Sequence, residues 1–317
     1  MKRLREVNGL LEPYWKFIQW TFVGLAFLLI GVALHASWGD LSSFNWRLNY
    51  LCFAVSLVLV SLVVPALAVW WTLSLRLLRE QLDWSKGAKI WAFAQLAKYL
   101  PGGIWNYVGR LYATDRAGVS KSSAALSLIL ETVLTTQAAA AVFLVSLPFW
   151  PTTDWSVGEL LVIAGLLLAG LVALHPFALH RGVNLALRLI RKPAITVSSL
   201  KYRHILGLLG AHILTAAGAG MAFYLMIVAV YYVPVDAVLP IAGMLAVSVI
   251  VGFLNPLTPH GLGTREGLLA LLLHYYLPLP AAIAISLLAR LWLTLSDLIG
   301  LLIVTLTCRA VSLIKRD

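Results

Sequence analysis

The sequence predicts an all-α polytopic membrane protein with about six full spans and two re-entrant helical hairpins, arranged as an inverted-topology repeat. The composition is the first observation: 61% of the 317 residues are hydrophobic and 12% are charged, whereas a soluble domain carries roughly 25% charged residues. The second is the presence of several nearly uncharged runs of about 18 residues or more, the length that indicates a transmembrane helix. The third is that two further apolar stretches are interrupted by proline and glycine, a pattern typical of transport sites.

Six apolar runs are the predicted full spans. They cover roughly residues 17–38, 48–71, 122–147, 157–175, 205–232 and 281–308. Basic residues gather before the first run, after the second, in the linker 176–204 and after the last. Because cytoplasmic loops carry an excess of Lys and Arg, we expect a multi-pass plasma-membrane protein of the bacterial inner-membrane type with both termini in the cytoplasm. The first part of the linker 176–204 is expected to be an interfacial helix.

The two hairpins are predicted from interrupted apolar segments. The first covers residues 88–113 and is broken by KYLPGGIW at 98–105; the second covers 236–277 and is broken by NPLTPHGLGTREG at 255–267. The arms of the first are shorter than the roughly 20 residues that cross a bilayer, and basic residues flank it on both sides. We therefore expect it to enter and leave at the cytoplasmic face, and the second to enter from the opposite face. The alternative for the first hairpin is an amphipathic helix pair lying on the membrane surface.

An internal repeat relates the two halves of the chain. Gly103 and Gly261 are 158 residues apart, and Pro101 and Pro259 have the same offset. The predicted units are residues 1–156 and residues 157–317, each with three spans and one hairpin. An odd number of spans inverts the second unit relative to the first, as in many transporters.

The tips of the two hairpins form the predicted substrate site. The second arm of each hairpin begins as a helix at its tip, and a helix N-terminus binds phosphate through free N–H groups and a positive dipole end. Glycine permits close approach, and Thr264 is the expected N-cap. The predicted substrate-binding residues are Lys98, Gly102, Gly103, Arg110, His260, Gly261, Gly263, Thr264, Arg265 and Glu266. The alternative is a simple helix break at each tip, with basic side chains that extend to the membrane surface.

Three charged residues fall deep inside predicted spans: Glu131, Arg290 and Asp297. Such residues are costly in a membrane and usually functional. We expect Arg290 to pair with Glu131, with Asp297 or with both beside the substrate path. The alternative is a structural ion pair that fixes helix packing.

Metal, cofactor, nucleic-acid and catalytic functions are not predicted. The seven histidines are scattered without metal-ligand spacing, and the two cysteines lie far apart. The net charge of +11 fits basic cytoplasmic loops and attraction to anionic lipid headgroups better than nucleic-acid binding. The sequence contains no GxSxG, P-loop or dinucleotide-binding motif.

The motifs KYLPGG at residues 98–103 and PHGLGTRE at residues 259–266 resemble those of the lysylphosphatidylglycerol synthase/flippase-like transmembrane family. The stretches 124–136, around Glu131, and 282–300, around Arg290, are also similar, so the resemblance covers essentially the whole chain. It implies movement of lipids or lipid-linked glycans between leaflets, with Arg265 and Glu266 as motif residues. The best-known members carry an appended synthase domain. The chain stops at Asp317 without one, so aminoacyl transfer is not expected.

The expected function is therefore a transporter or flippase for a lipid or lipid-linked glycan with an anionic headgroup. One alternative is an accessory membrane subunit that holds a cytosolic biosynthetic enzyme through the basic linker 176–204. Another is a membrane-embedded glycosyltransferase, whose catalytic base would come from Asp40, Asp154 or Glu159.

Overall fold

The computed structural model describes residues 48–99, 104–151, 156–189, 201–255 and 261–314, and all regular elements within these ranges are helices. The α-helices are α1 (Tyr50–Ser61), α2 (Val63–Leu77), α3 (Trp84–Leu96), α4 (Trp105–Arg116), α5 (Lys121–Ser146), α6 (Val157–Ala173), α7 (Pro176–Leu189), α8 (Tyr202–Val230), α9 (Val238–Leu254), α10 (Thr264–Leu273) and α11 (Leu279–Ile314). Short 3-10 turns occupy Ala97–Tyr99, Leu147–Phe149 and Val235–Ala237. The predicted all-α class is confirmed.

In the described ranges, five helical stretches are long and apolar enough to cross a membrane. They are Tyr50–Leu77, Lys121–Phe149, Tyr202–Val230, Val235–Leu254 and Leu279–Val311. The protein is therefore a multi-pass membrane protein. The first predicted span lies outside the described residues, and the fourth is α6, an apolar helix of 17 residues. The stretch that contains α9 is long enough to cross alone, whereas the sequence predicts a re-entrant arm there. The number of spans and the re-entry of the hairpins stay predictions.

The α1–α2 stretch bends at Leu62, between two helices that would otherwise be one. Pro65 has no N–H, so the carbonyl four residues earlier, that of Ser61, lacks its helical donor. Gly300 of α11 packs against this bend: a Cβ placed there would lie 2.4 Å from Val64 Cβ and 2.9 Å from the Ser61 carbonyl oxygen. The bend and the glycine together bring α11 close to α2.

Three groups of buried apolar side chains hold the helices together. The first joins α1 to α8, α9, α10 and α11, and it includes Val60, Phe223 and Trp292. The second joins α2, α5 and α8, and it also takes in Leu174 and Leu179 from the α6–α7 region. The third joins α2, α3, α5 and α11 around Trp71 and Trp91. Each group therefore contains helices from both predicted repeat units.

Small residues allow α9 to approach its neighbours closely. A Cβ on Gly243 would lie 1.8 Å from the Ser146 hydroxyl of α5, and one on Gly220 would lie 2.4 Å from Ala242 Cβ. Close backbone approach of this kind is the usual basis of helix packing in a membrane, where apolar side chains gain little by leaving lipid for protein.

Both predicted hairpins are helix pairs, and each packs against a helix of the other repeat unit. In the first, α3 packs on α4, and it also contacts α2 and α11. In the second, α9 packs on α10, and it also contacts α8 and α5. The second arms instead pack within their own predicted units, because α4 lies on α5 and α10 lies on α11. The helix α11 thus contacts the first hairpin through α3 and the second through α10.

Candidate functional site

Six polar side chains from three parts of the chain meet where the two hairpins approach α11. Two end the first arm of the first hairpin, two begin α10, and two lie on α11. Ion pairs, hydrogen bonds and longer-range electrostatic interactions connect them. We call these residues the tip cluster: Lys98, Tyr99, Arg265, Glu266, Arg290 and Asp297.

Asp297 ties the first hairpin to α11. Its Oδ2 atom lies 2.7 Å from Lys98 Nζ, and it also accepts a hydrogen bond from the Tyr99 hydroxyl. The Lys98 and Asp297 side chains are 11% and 10% exposed. The carboxylate is therefore held by two neighbouring residues of one hairpin tip.

Glu266 ties the second hairpin to the same helix. Its Oε1 atom lies 3.1 Å from Arg290 NH1, and its Oε2 atom accepts a hydrogen bond of 2.8 Å from the Gly263 N–H. A carboxylate in the first helical turn, bonded back to the N-cap amide, stabilises a helix start and the positive end of its dipole. Glu266 thus fixes the start of α10 and positions Arg290 at once.

Two glycines shape the turn that leads into α10. Gly261 and Gly263 have φ values of +71° and +84°, a region that residues with a Cβ rarely adopt. The prediction that Thr264 is the N-cap is wrong, because the chain turns at Gly263 and that residue takes the cap position. The Thr264 hydroxyl instead donates to the Gly261 carbonyl at 3.1 Å and accepts from Asn255 Nδ2 at 3.1 Å. Thr264 therefore links the start of α10 to the end of α9.

Arg265 is the cation of the tip cluster that has no bonded partner in the described part of the chain. The described ion pairs use Lys98 and Arg290, and no hydrogen bond of the Arg265 guanidinium is present among the described residues. It interacts at longer range with Glu266, Arg290, Asp297 and Tyr99. Three cations against two carboxylates leave the cluster with one positive charge in excess, carried by Arg265.

The cleft beside Arg265 is narrow. It is lined by Arg265, Glu266, Leu269, Ser286, Ala289, Arg290 and Leu293, and it has no room for a water-sized sphere. A phosphate group is larger than a water molecule. An anion could therefore reach Arg265 from this side only if α10 and α11 moved apart.

Arg110 and Glu131 form a second buried charge centre. An NH1 hydrogen bond joins Arg110 to Glu131 Oε2, and Trp91 Nε1 donates to Glu131 Oε1 at 2.5 Å. The Arg110 guanidinium also lies between 5.5 and 5.8 Å from the ring centroids of Trp71, Trp91 and Tyr107. We call these five residues the Arg110 cluster. Arg110 is 4% exposed and Glu131 is 8% exposed.

The observed charge pairs differ from the predicted ones. Arg290 pairs with Glu266, not with Glu131 or Asp297 as expected. Glu131 pairs with Arg110, and Asp297 pairs with Lys98. The physical reason is that each hairpin places its own charges against the span it packs on, so the deep charges of the spans already have nearby partners.

Four of the predicted site residues lie outside the described residues or in the Arg110 cluster, and two cluster residues were not predicted. Gly102, Gly103 and His260 lie outside the described residues, and Arg110 belongs to its own cluster. Tyr99 and Trp91 were not predicted, although Tyr99 is adjacent to Lys98 in the KYLPGG motif. An aromatic residue inside an apolar arm gives no sequence signal that separates a hydrogen-bond donor from a lipid-facing side chain.

Within the described residues, no group of three or more His, Cys, Asp or Glu side chains could hold a metal ion.

Comparison with known families identifies the region that contains both clusters. A sequence model described as the lysylphosphatidylglycerol synthase TM region matches residues 17–300. This match includes both hairpins and all the residues of the tip cluster and the Arg110 cluster, and it confirms the resemblance that the motifs predicted. No curated protein matches the chain.

Proposed function

We propose that this chain, which belongs to the lysylphosphatidylglycerol synthase transmembrane-region family, moves a lipid or lipid-linked glycan with an anionic headgroup between the two leaflets. The observation that carries the proposal is that Arg265, at the point where both hairpins meet α11, has no bonded partner among the described residues. Family membership supports a lipid-related role in the membrane, and the charge excess of the tip cluster supports an anionic headgroup.

A guanidinium group is well suited to a lipid phosphate. Its planar N–H donors match two phosphate oxygens at once, and it stays charged in an apolar environment. Lys98 and Arg290 stand close enough to interact electrostatically with each other and with Arg265. Each of them already has a carboxylate partner, whereas Arg265 has none among the described residues, so Arg265 would receive the phosphate first.

The position of the cluster along α11 supports passage through the middle of the bilayer. Arg290 and Asp297 come 11 and 18 residues after Leu279, the first residue of α11. At about 1.5 Å per residue, these side chains leave the helix about 17 and 27 Å from its start. The whole helix of 36 residues is about 54 Å long, and the hydrocarbon core is about 30 Å thick. The headgroup would meet the cluster at depth, while the lipid tails stay in the bilayer.

The packing of the hairpins supports the proposed inverted repeat. The contacts of α3 with α2 and α11 have counterparts in the contacts of α9 with α8 and α5. Under the proposed repeat, α2 corresponds to α8, α3 to α9, α4 to α10 and α5 to α11. We propose on this basis that the hairpins are re-entrant, that they enter from opposite faces, and that their tips form the two sides of one headgroup site.

Transport requires an exchange of partners in the tip cluster. In the observed arrangement, Asp297 forms an ion pair with Lys98, and Glu266 forms an ion pair with Arg290. A phosphate that binds Arg265 brings one negative charge, which balances the excess positive charge. It can then compete with Asp297 for Lys98 and release the first hairpin from α11. Movement of one hairpin while the other stays bound would open the site to one leaflet at a time.

A leaflet-resolved assay tests the proposal. The purified protein is reconstituted into vesicles that contain fluorescent phosphatidylglycerol, and a membrane-impermeant reductant quenches the outer leaflet over time. We expect lipid movement to fall at least tenfold in Arg265→Gln, because one charge-assisted phosphate contact is lost. Arg116→Gln is the matched control, since Arg116 is an exposed arginine stacked on Tyr112 at the end of α4. An Arg265→Gln protein that moves lipid at the wild-type rate would exclude Arg265 as the headgroup site.

An accessory role at the cytoplasmic face stays a separate prediction. Helix α7 forms the first part of the basic linker and packs on α6, with the Arg181 guanidinium 4.0 Å above the ring of Phe177. Capture of a biosynthetic enzyme in equal amounts, by wild-type protein and by Arg265→Gln alike, would favour that role.

A further inference from the structure

A buried histidine next to the Arg110 cluster has one ring nitrogen without a partner. His212 of α8 is 3% exposed, and its Nδ1 atom lies 2.8 Å from the Leu208 carbonyl oxygen. A carbonyl can only accept, so Nδ1 carries the hydrogen and Nε2 carries the lone pair. Nε2 is buried and has no hydrogen-bond partner among the described residues. The ring is therefore fixed with a free proton-accepting atom.

Glu131 is the charged group that interacts with this ring. The helices that pack on α8 are α1, α2, α5, α9 and α11. Their titratable residues are Tyr50, Cys52, Arg76, Lys121, Glu131, Arg290, Asp297, Cys308 and Arg309, and α9 has none. On α8 itself they are Tyr202, Arg203, His204 and Tyr224. Of all these groups, Glu131 is the one with an electrostatic interaction with His212.

The two side chains lie at a similar distance along neighbouring helices. Glu131 is ten residues after Lys121, where α5 begins, and His212 is ten residues after Tyr202, where α8 begins. Each is therefore about 15 Å from its helix start. The helices pack on each other, and basic residues precede both starts. A proton on His212 would thus stand deep in the protein, within electrostatic range of the Glu131 carboxylate.

Arg110 bonds Glu131 through one end of its guanidinium group. It comes from α4, the second arm of the first hairpin, whereas Glu131 and His212 come from the long helices α5 and α8. Its NH1 atom bonds the carboxylate, but its buried Nε atom has no partner in the described residues. The contact is therefore made through one end of the guanidinium, without the paired geometry that makes arginine–carboxylate contacts strong.

We propose that Glu131 and His212 form a proton-binding site in which a proton on His212 Nε2 replaces Arg110 as the counter-charge of Glu131 when the first hairpin moves. This inference rests on the proposed function, because it requires the hairpin to shift during transport. A buried carboxylate without a counter-charge is costly. Withdrawal of Arg110 therefore favours uptake of one proton at Nε2, and return of Arg110 favours its release. Lipid movement is thereby coupled to proton binding.

Histidine-selective ¹⁵N NMR in nanodiscs tests the proton site without any transport measurement. The signal of His212 is assigned by its loss in His212→Gln and followed from pH 5 to pH 8. We expect Arg110→Gln to raise the midpoint of the His212 titration by about one pH unit or more, a tenfold change in proton affinity, and Glu131→Gln to lower it. His274 is the control, because its Nδ1 also lies near a backbone carbonyl, at 3.0 Å, but it lies at the exposed end of α10. Its titration should not change.

Two further outcomes separate this inference from the proposed function. If a single variant fails to fold, the uncharged pair Arg110→Gln/Glu131→Gln replaces it, and its His212 should titrate below the wild-type midpoint. A His212 midpoint that is the same in wild type and all these variants would overturn the proton site. In the vesicle assay, lipid movement by wild type should differ at least threefold between pH 5.5 and pH 7.5, and His212→Gln should remove that difference. Movement without pH dependence overturns the inference alone, whereas no lipid movement at any pH overturns the proposed function.

Discussion

At the scale of single residues, the buried Arg110–Glu131 pair is expected to be essential for stability. Removing one partner of a buried pair leaves an uncompensated charge and costs roughly 3–5 kcal/mol. We therefore predict that Arg110→Met lowers the free energy of unfolding by about this amount, measured by titration with sodium dodecyl sulfate in mixed micelles. Adding Glu131→Gln should restore most of the loss. Equal instability of the single and double variants would show that Arg110 acts through its packing on the tryptophan rings.

Arg265, unlike Arg110, is not expected to stabilise the folded protein. It has no bonded partner among the described residues, whereas Arg290 holds Glu266 at 3.1 Å. We predict that Arg265→Gln does not lower the free energy of unfolding, because it removes a charge that has no bonded partner among the described residues, although it reduces lipid movement. Arg290→Gln should destabilise the protein more, because it leaves Glu266 buried without its guanidinium. The same unfolding titration compares the two variants, and greater destabilisation by Arg265→Gln would contradict the assignment.

At the scale of elements, the second hairpin depends on the contact of two glycine backbones. A Cβ on Gly261 would lie 2.5 Å from Gly252 Cα and 2.8 Å from its carbonyl oxygen, and Gly261 has a φ of +71°. We predict that Gly261→Ala destabilises the protein by about 1–3 kcal/mol, the usual cost of a strained backbone. It should also move α9 and α10 apart. Gly267→Ala, inside α10, is the control, since its Cβ would meet no atom within 4 Å. That change should stabilise α10 by up to about 1 kcal/mol. Similar melting temperatures for both variants would exclude this contact as a constraint.

The helices and their breaks could be predicted from the sequence because their causes are local. Proline, glycine and short apolar arms interrupt a helix wherever they occur, and both interruptions in the sequence mark helix pairs in the structure. The charge partners could not be predicted in the same way. Tyr99 and Asp297 are 198 positions apart, and their contact depends on how α3 packs on α11. Glu131 and Arg290 are 159 positions apart, close to the offset of the proposed repeat, but each pairs with the hairpin arm beside it.

At the scale of the whole molecule, the Arg110 cluster and the tip cluster each contain an ion pair between a hairpin arm and a long helix, but the cation and the carboxylate have exchanged places. In the first unit the hairpin arm α4 supplies the cation and the span α5 supplies the carboxylate. In the second unit the arm α10 supplies the carboxylate and the span α11 supplies the cation. Lys98 and Asp297 add a contact between the units. The first hairpin is thus bonded to both long helices α5 and α11, so its movement would change both clusters together.

This arrangement leads to a prediction about movement. Lys98→Cys and Asp297→Cys are introduced together after Cys52 and Cys308 have been replaced by alanine, and a short, reducible bifunctional thiol reagent joins them. We predict that the cross-link stops lipid movement in vesicles and that a reductant restores the rate of the uncross-linked variant, because the first hairpin can no longer leave α11. Trp70→Cys with Thr215→Cys is the matched control. That pair joins α2 to α8 through a hydrogen bond of 3.2 Å, and these helices have no proposed relative movement. Full transport through a cross-linked first hairpin would mean that the headgroup passes elsewhere, since a site between the tips cannot open while Lys98 and Asp297 positions are held together.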